Sequence, residues 1–172
     1  MKEYAYTTAE DLTGLAPNHT ILYTYGDESW GDLLTSYNGL PITYDEIGNP
    51  LSYRGWTNTW EGRRLTSTAK GTDTLNFQYN ADGIRTEKEV NGSKTYYFLN
   101  GTQVLAQKTG EQILWFYYDQ QGQRVGMEYN GNLYFYVYNL QDDVISLVKA
   151  SDGSLAAEYS YNACGKPVTA TG

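Results

Sequence analysis

The sequence predicts an all-β protein, an antiparallel sheet of successive β-hairpins of about 20 residues that is curved or partly coiled and has little helix. Its 172 residues include 18 tyrosines and 18 glycines, a composition that suits pleated strands broken by tight turns. Aromatic residues beside turn signals recur at nearly constant spacing. Asn-Gly and Asp-Gly pairs, which favour the positive φ angles of two-residue hairpin turns, lie between them.

Eight aromatic residues mark the repeat, and we call them the anchor aromatics. They are Tyr25, Tyr44, Trp60, Tyr79, Phe98, Tyr118, Tyr138 and Tyr161. Successive anchors are 16 to 23 residues apart. Regular internal spacing of this kind predicts one supersecondary unit for each repeat.

Four of the eight anchors begin the pattern Tyr-(Asp/Asn)-x-x-Gly and the others begin degenerate copies of it, and we predict that its residues are structural. We expect the tyrosine ring to pack on the sheet with its hydroxyl near water, and the Asp or Asn side chain to cap the turn. The glycine is expected to take a positive φ angle. The residues that define the repeat are Tyr44, Asp45, Gly48, Tyr79, Gly83, Tyr118, Asp119, Gly122, Tyr138, Tyr161 and Gly165.

A second turn signal lies near the middle of most repeats, so each repeat is predicted to be strand, tight turn, strand and wider turn. Four successive hairpins are expected, formed by residues 84–90 with 93–99, 102–108 with 112–118, 123–129 with 132–138, and 143–149 with 154–161.

Arginine follows several of the motif glycines at the second position. Arg85 follows Gly83 and Arg124 follows Gly122 in this way. An arginine there is expected to lie over a neighbouring aromatic ring, a contact worth about 0.5–1 kcal/mol at an exposed site.

Composition also bounds the domain organisation and the partners. We predict an irregular or partly ordered lead-in over residues 1–20, one hairpin-repeat domain over 21–168 and a tail over 169–172. The net charge of −8 argues against binding to nucleic acid. The longest apolar runs, residues 113–118 and 133–138, are much shorter than the roughly 20 residues of a membrane-spanning helix, so no membrane insertion is expected.

At residues 42–50 (ITYDEIGNP), 136–145 (YVYNLQDDVI) and 158–166 (EYSYNACGK), the chain resembles the YD-repeat or Rhs (rearrangement hotspot) family. The resemblance covers roughly residues 20–168, and the last two stretches are similar to the start of the Rhs-associated core region. It implies hairpins that add side by side into a spiralling sheet, which in bacterial members forms a shell around a toxin. The self-cleaving Asp-Pro-x-Gly site of that core has no match here.

The resemblance therefore implies a non-catalytic structural fragment of a secreted or wall-associated protein, which is not an enzyme. Its expected partners are the remainder of a larger repeat shell or a second copy, because terminal hairpins leave unpaired edges that invite association. The alternative is a carbohydrate-binding or adhesion module that uses exposed aromatic residues and contacts a cell-surface glycan. No signal peptide is recognised at the start of the chain.

No catalytic residue, cofactor or metal site is predicted. Cys164 and His19 are the single cysteine and the single histidine, too far apart in sequence to indicate a nucleophile and its base, and Cys164 is expected to be a small buried apolar residue. Asp142 and Asp143 are expected to form a solvated turn.

The tryptophans carry the carbohydrate alternative. Exposed tryptophan rings can stack on sugars, whereas packing of these rings on the sheet is the more ordinary expectation. Trp56 and Trp60, in an irregular hairpin, are the first candidates for contacts with a glycan, and Trp30 is the third.

Overall fold

The computed structural model describes residues 2–7, 20–163 and 165–172. These residues form strands and turns and contain no helix, so the prediction of an all-β fold of successive antiparallel hairpins is confirmed. The chain divides into two compact units, one of Met1–Gln78 with Glu89–Gly92 and the other of Tyr79–Lys88 with Ser93–Gly172. The predicted domain boundaries stay predictions, although residues 2–7 of the predicted lead-in form a strand.

In the first unit, strands pair with their neighbours in chain order. A four-stranded antiparallel sheet has the order β1-β2-β3-β4, and β5 to β8 also pair consecutively. Both β8 and β9 have residues in each unit. The strands are β1 (Lys2–Thr7), β2 (Thr20–Tyr25), β3 (Leu34–Tyr37), β4 (Leu40–Pro41), β5 (Ser52–Tyr53), β6 (Trp56–Glu61), β7 (Arg64–Lys70), β8 (Asp73–Tyr79) and β9 (Arg85–Val90).

In the second unit, eight further strands form one antiparallel series in chain order. They are β10 (Ser93–Asn100), β11 (Gln103–Thr109), β12 (Gln112–Tyr118), β13 (Arg124–Tyr129), β14 (Asn132–Tyr138), β15 (Val144–Lys149), β16 (Leu155–Tyr161) and β17 (Pro167–Thr171). The β11/β12, β13/β14 and β15/β16 hairpins lie where the sequence predicts them.

The tight turns have the backbone geometry that their residues favour. At Asn91-Gly92 both residues have positive φ, 50° and 83°, and at Asn130-Gly131 the angles are 51° and 74°, as a type I′ turn requires. This geometry carries the right-handed twist of the strands through the turn, so the Asn-Gly pairs fix the register of the hairpins.

Pairing shifts by one position beside most of the anchor aromatics. Such β-bulges increase the local twist and redirect a side chain. The shifts next to anchors are at Thr24/Tyr25, Thr59/Trp60, Phe98/Leu99, Tyr117/Tyr118, Val137/Tyr138 and Ser160/Tyr161. The anchors therefore stand at the bulged open ends of hairpins rather than within regular pairing.

Few side chains are fully removed from water. Among the described residues, the buried apolar side chains are Tyr37, Ile42, Ala106 and Leu147. Most strand residues are instead half-buried on one face or the other. The sheets therefore depend on rings packed along their faces and on hydrogen bonds, since they have no thick core.

Candidate functional site

The anchor tyrosines close the open ends of hairpins with their hydroxyl groups. Tyr118 Oη donates to the carbonyl oxygen of Val104 at 2.8 Å, and Tyr161 Oη donates to Val144 at 2.8 Å. Tyr138 Oη donates to the carbonyl of Arg124. In each case the end of one strand is tied to the beginning of the strand before it, and we call this contact the tyrosine clamp.

Tyr44 makes the same contact in the first unit, where its hydroxyl donates to the carbonyl of Leu34 at 2.7 Å. Burial raises the pKa values of Tyr44 and Tyr138 above the ordinary value for tyrosine. In each clamp the tyrosine hydroxyl gives a part-buried carbonyl the hydrogen bond that water would otherwise supply.

The turn after each clamp has one recurring pattern of hydrogen bonds. Asp119 Oδ1 accepts from the amides of Gln121 (2.9 Å) and Gln123 (2.8 Å), and the amide of Gly122 donates to the Asp119 carbonyl at 3.1 Å. The asparagine side chain of Asn139 accepts from Gln141 and Asp143 in the same way, each at 2.9 Å. The Asp or Asn side chain therefore caps these turns.

The fourth residue of this turn has a positive φ angle in every copy, as predicted for glycine. The angles are 85° at Gly48, 80° at Gly83, 84° at Gly122 and 76° at Gly165, whereas Asp142 occupies the same position with φ 62°. An aspartate can adopt this conformation at some cost. Asp142 and Asp143 lie in this turn, where Asn139 Nδ2 donates to Asp143 Oδ2 at 3.0 Å.

Asp45 is the turn aspartate of the first unit. Partial desolvation raises its pKa, but hydrogen bonds from the Asn49 amide, the Asn49 side chain and the amides of Ile47 and Gly48 outweigh this, so the pKa lies below its ordinary value. Asn49 Nδ2 donates at 2.7 Å both to Asp45 Oδ2 and to the carbonyl of Gly62. The buried Asn49 thus joins two successive turns.

Arg124 lies against the aromatic rings of its neighbours, as the sequence predicts. Its guanidinium carbon is 4.2 Å from the centroid of the Phe116 ring and 5.6 Å from that of Tyr118, and its Nη2 donates to Tyr118 Oη at 3.3 Å. Arg85 is 5.9 Å from the Tyr79 ring. The carbonyl oxygen of Arg124 also accepts the hydrogen bond of the Tyr138 clamp. Arg124 therefore contacts two clamps, that of Tyr118 through its side chain and that of Tyr138 through its backbone.

Tyr96 (43% exposed) and four further large rings lie on one face of the second unit and remain exposed to water. The four further rings are grouped because they form cross-strand rows. They are Phe98 (50% exposed), Trp115 (46%), Tyr117 (42%) and Phe135 (45%), and we call them the aromatic ladder. The sequence does not single out this set, because both faces of these strands carry aromatic residues and Phe98 is recognised only as an anchor.

The register places the ladder in two cross-strand rows. Phe98 on β10 pairs with Ala106 on β11, which pairs with Trp115 on β12. Tyr117 on β12 pairs with Gly126 on β13, which pairs with Phe135 on β14. Directly opposed residues share a face, so each row has a large ring, a small residue and a second large ring.

The small residues in the rows are required by close packing. The Ala106 side chain is completely buried. A Cβ added at Gly126 would lie 2.7 Å from the Tyr134 carbonyl oxygen and 3.4 Å from Phe135 Cδ1, closer than real contacts allow. The positions between the rings therefore accept only small residues.

Tyr117 is held by a polar contact, since its hydroxyl donates to Glu128 Oε2 at 2.8 Å. This hydrogen bond, with a smaller contribution from desolvation, raises the Tyr117 pKa. Glu128 itself pairs with Trp115, so the ladder carries one oriented carboxylate.

The tryptophans named from sequence lie elsewhere, in the first unit. Trp56 and Trp60 are half-buried on one face of β6, and Trp60 Nε1 donates to the Pro50 carbonyl at 2.9 Å. Trp30 is 58% exposed, and its ring lies over the Asp45 turn, where a Cβ at Gly48 would be 3.6 Å from Trp30 Cζ3. Their contact with glycan stays a prediction.

Among the described residues, no three His, Cys, Asp or Glu side chains are grouped in a way that would hold a metal ion. His19 and Cys164 lie outside the described residues. In the described part of the chain, no helix has the length and apolar character needed to cross a membrane.

Comparison with known proteins finds clear relatives. No protein-family model matches the chain. The tRNA3(Ser)-specific nuclease WapA of Bacillus spizizenii is 37% identical over 142 residues, and the tRNA nuclease WapA of Bacillus subtilis is 36% identical over 142 residues. The tRNA(Glu)-specific nuclease WapA of Bacillus subtilis subsp. natto is 37% identical over the same length. Each match covers 78% of this chain and 6% of the relative.

These relatives correct the family assignment made from the sequence. The YD-repeat or Rhs assignment is wrong as it was made, because no family model matches and the relatives are WapA tRNA nucleases. The pattern Tyr-(Asp/Asn)-x-x-Gly misled the assignment for a physical reason. Its tyrosine forms the clamp, its Asp or Asn caps the following turn, and its glycine takes the positive φ angle. Any hairpin that needs this closure favours these residues, so the pattern specifies local geometry more strongly than ancestry.

The prediction that the protein is not an enzyme is also wrong, since the named relatives are nucleases. That prediction rested on a search for catalytic groups within 172 residues, a stretch that samples a small part of the relatives. The chain is thus similar to a short portion, 6% of the length, of WapA tRNA nucleases from Bacillus.

Proposed function

We propose that this chain contributes a self-supporting β-hairpin scaffold to a larger tRNA nuclease toxin of the WapA kind. The observation that carries the proposal is the identity of 36–37% over 142 residues with three WapA nucleases. Because the chain spans 6% of each of them, the activity is proposed for the longer protein to which the hairpins belong.

The scaffold role is supported by the way the hairpins are closed. Each clamp in the second unit joins residues 14 to 17 positions apart, so each of these three hairpins satisfies its own open end. A sheet stabilised in this way is able to present or enclose other parts of a long chain without a thick core of its own. We propose that the hairpins form part of a shell around the toxin portion.

The nuclease proposal is tested with the whole product of the native gene. The purified protein is incubated with individual tRNAs, and the products are separated on a denaturing gel beside those of the Bacillus subtilis WapA. We expect cleavage of one or a few tRNAs. Intact tRNA under conditions in which the WapA control cleaves its own substrate would contradict the proposal.

The scaffold role needs a separate measurement. In the same gene product, Tyr118→Phe combined with Tyr138→Phe is expected to speed limited proteolysis and to lower the temperature at which tRNA cleavage is lost. Cleavage at low temperature, where the protein is still folded, should be unchanged. A loss of cleavage at low temperature with unchanged proteolysis would overturn the scaffold role.

The location of the longer protein is likewise a proposal, namely secretion or association with the cell wall. Fractionation of the native cells, with detection by an antibody against this chain, tests it. Recovery of the protein only from the cytoplasm would contradict it.

A further inference from the structure

A cavity of about 610 Å³ lies at the open end of the β15/β16 hairpin, between the two turns that follow Tyr138 and Tyr161. Its volume is in the range of ordinary small-ligand sites. The cavity is lined by the rings of Tyr159 and Tyr161, the carboxylate of Asp143 and the hydroxyl-bearing Ser160, together with residues of both turns. It therefore combines flat apolar surfaces with one negative charge.

Arg124 shows how the preceding hairpin uses the position that corresponds to Val144. The two residues are equivalent, because the carbonyl oxygen of each accepts a clamp hydroxyl. The Arg124 guanidinium lies 4.2 Å from the Phe116 ring and also interacts with Tyr136 and Tyr138 on the following strand. Val144 has no charge, so it offers no cation to the corresponding rings on its own following strand. Those rings are Tyr159 and Tyr161, which line the cavity.

Asp143 provides a carboxylate that has one side-chain donor. Its Oδ2 accepts from Asn139 Nδ2 at 3.0 Å, and a carboxylate has acceptor sites for further donors. In the first unit the same turn position is Asn49, whose side chain donates to the carbonyl of Gly62 at 2.7 Å. A carboxylate cannot donate such a bond, and no described lysine or arginine forms a salt bridge with Asp143. The cavity thus presents a carboxylate and two aromatic rings to a cation from outside.

We propose that this cavity binds the guanidinium group of an arginine side chain in a peptide segment outside the sheet. A planar guanidinium stacks on tyrosine rings, and its N–H groups donate as a fork to a carboxylate such as Asp143. The net charge of −8 also favours a cationic ligand. A divalent metal ion fits less well, because Asp143 is the one acid among the described residues that line the cavity and such ions need several oxygen ligands.

The test uses the intact, isotope-labelled chain and three blocked tripeptides that have arginine, lysine or citrulline between two glycines. Citrulline has nearly the shape of arginine but no charge. Binding is followed through the backbone amide NMR signals of Asp143, Ile145 and Ser160. We expect the arginine peptide to bind with a dissociation constant of about 1 mM and the other two to bind at least about tenfold more weakly. Unchanged signals at about 10 mM arginine peptide overturn the proposal, as does equal binding of either analogue.

Variants then locate the site. Asp143→Asn removes the charge and leaves the residue that Asn49 supplies at the same turn position, so the fold should be kept while arginine-peptide binding weakens at least about tenfold. Asp119→Asn is the matched control. It removes one charge from the preceding turn, where asparagine is compatible because Asn139 caps the equivalent turn, and the affinity should not change.

Tyr159→Leu removes one ring of the cavity and should also weaken binding of the arginine peptide. An equal loss of affinity in Asp143→Asn and Asp119→Asn overturns the assignment, because net charge alone would then explain binding. Unchanged affinity in Tyr159→Leu overturns the stacking of the guanidinium. Circular dichroism confirms that each variant is folded, and none of these results bears on tRNA cleavage.

Discussion

The hydroxyl of Tyr118 donates a hydrogen bond to the carbonyl of Val104, 2.8 Å away, and so joins the last residue of β12 to the start of β11. The same relationship recurs between Tyr138 and Arg124 and between Tyr161 and Val144. It makes each hairpin a closed element whose stability is open to direct measurement.

The clamp predicts a specific cost for losing one hydroxyl group. Tyr118→Phe keeps the ring but leaves the part-buried Val104 carbonyl without its donor, so we expect a loss of about 1–2 kcal/mol in the free energy of unfolding. Urea denaturation measures it. Tyr96→Phe, at an exposed position of β10, is the matched control and should change stability by less than about 0.5 kcal/mol. Equal effects of the two variants would contradict the clamp.

We expect replacement of Arg124 to lower stability more than replacement of an exposed arginine, although both replacements remove one positive charge. Arg124→Met keeps an apolar stem but removes the planar cation 4.2 Å from the Phe116 ring and the donor to Tyr118. We expect a loss of about 1–3 kcal/mol. Arg63→Met removes the same charge from an exposed turn and should cost less than about 0.5 kcal/mol. If thermal unfolding shows the same loss of stability in both variants, the loss comes from the removed charge alone, and the contacts of Arg124 with the rings contribute nothing.

Asp142 is the exception among the turn residues, and its replacement is predicted to stabilise the protein. It has φ 62° where the equivalent residues are glycine, so Asp142→Gly relieves backbone strain. The gain in the free energy of unfolding should be about 0.5–1 kcal/mol, reduced by the greater freedom of glycine in the unfolded chain. Gly122→Ala, which introduces the opposite change at φ 84°, should destabilise. A destabilised Asp142→Gly variant would contradict this explanation.

The tyrosines predict a loss of stability in alkali. Burial raises the pKa values of Tyr44, Tyr136 and Tyr138 above 10.0. The unfolded chain then releases these protons first, so their contribution is complete below about pH 10 and is lost as pH rises through the folded-state pKa values. Thermal unfolding between about pH 8 and pH 11 should show a falling midpoint above pH 10. Tyr138→Phe removes one of these groups and should make the decline shallower; an unchanged slope would count against it.

Self-association is predicted through the last strand. All five residues of β17 are exposed, and none is charged. In the isolated chain, Pro167 at the start of the strand is its one protective feature, and Val168–Thr171 lack the charged side chains that usually protect a sheet edge. Sedimentation velocity at increasing protein concentration should show dimers or larger species. Val168→Lys should weaken this association, while Leu140→Lys, at the fully exposed tip of a turn, should not. A monomer at every concentration would contradict the prediction.

The sequence was sufficient to predict the hairpins and the turns, because each depends on residues close together in the chain. Asn91-Gly92 and the Asp119–Gly122 turn are of this kind. The acceptors of the clamps were not predictable, since the partner of Tyr138 lies 14 residues away and depends on the bulged register. The ladder was missed because both faces of these strands carry aromatic residues, so alternation did not indicate which rings remain exposed.

Closure of three successive hairpins in the second unit by their own tyrosines has a consequence for how such a chain varies in length. Each of the three clamps described in the second unit lies within its own two strands, so removing or duplicating a whole hairpin leaves the hydroxyl and the carbonyl of the other clamps in place. Removal of β13 and β14 would take away only the additional Arg124 donor to the Tyr118 hydroxyl. The number of hairpins can then follow the length of sheet that the assembled protein requires. Gene duplication can change this number while each added hairpin keeps its own clamp.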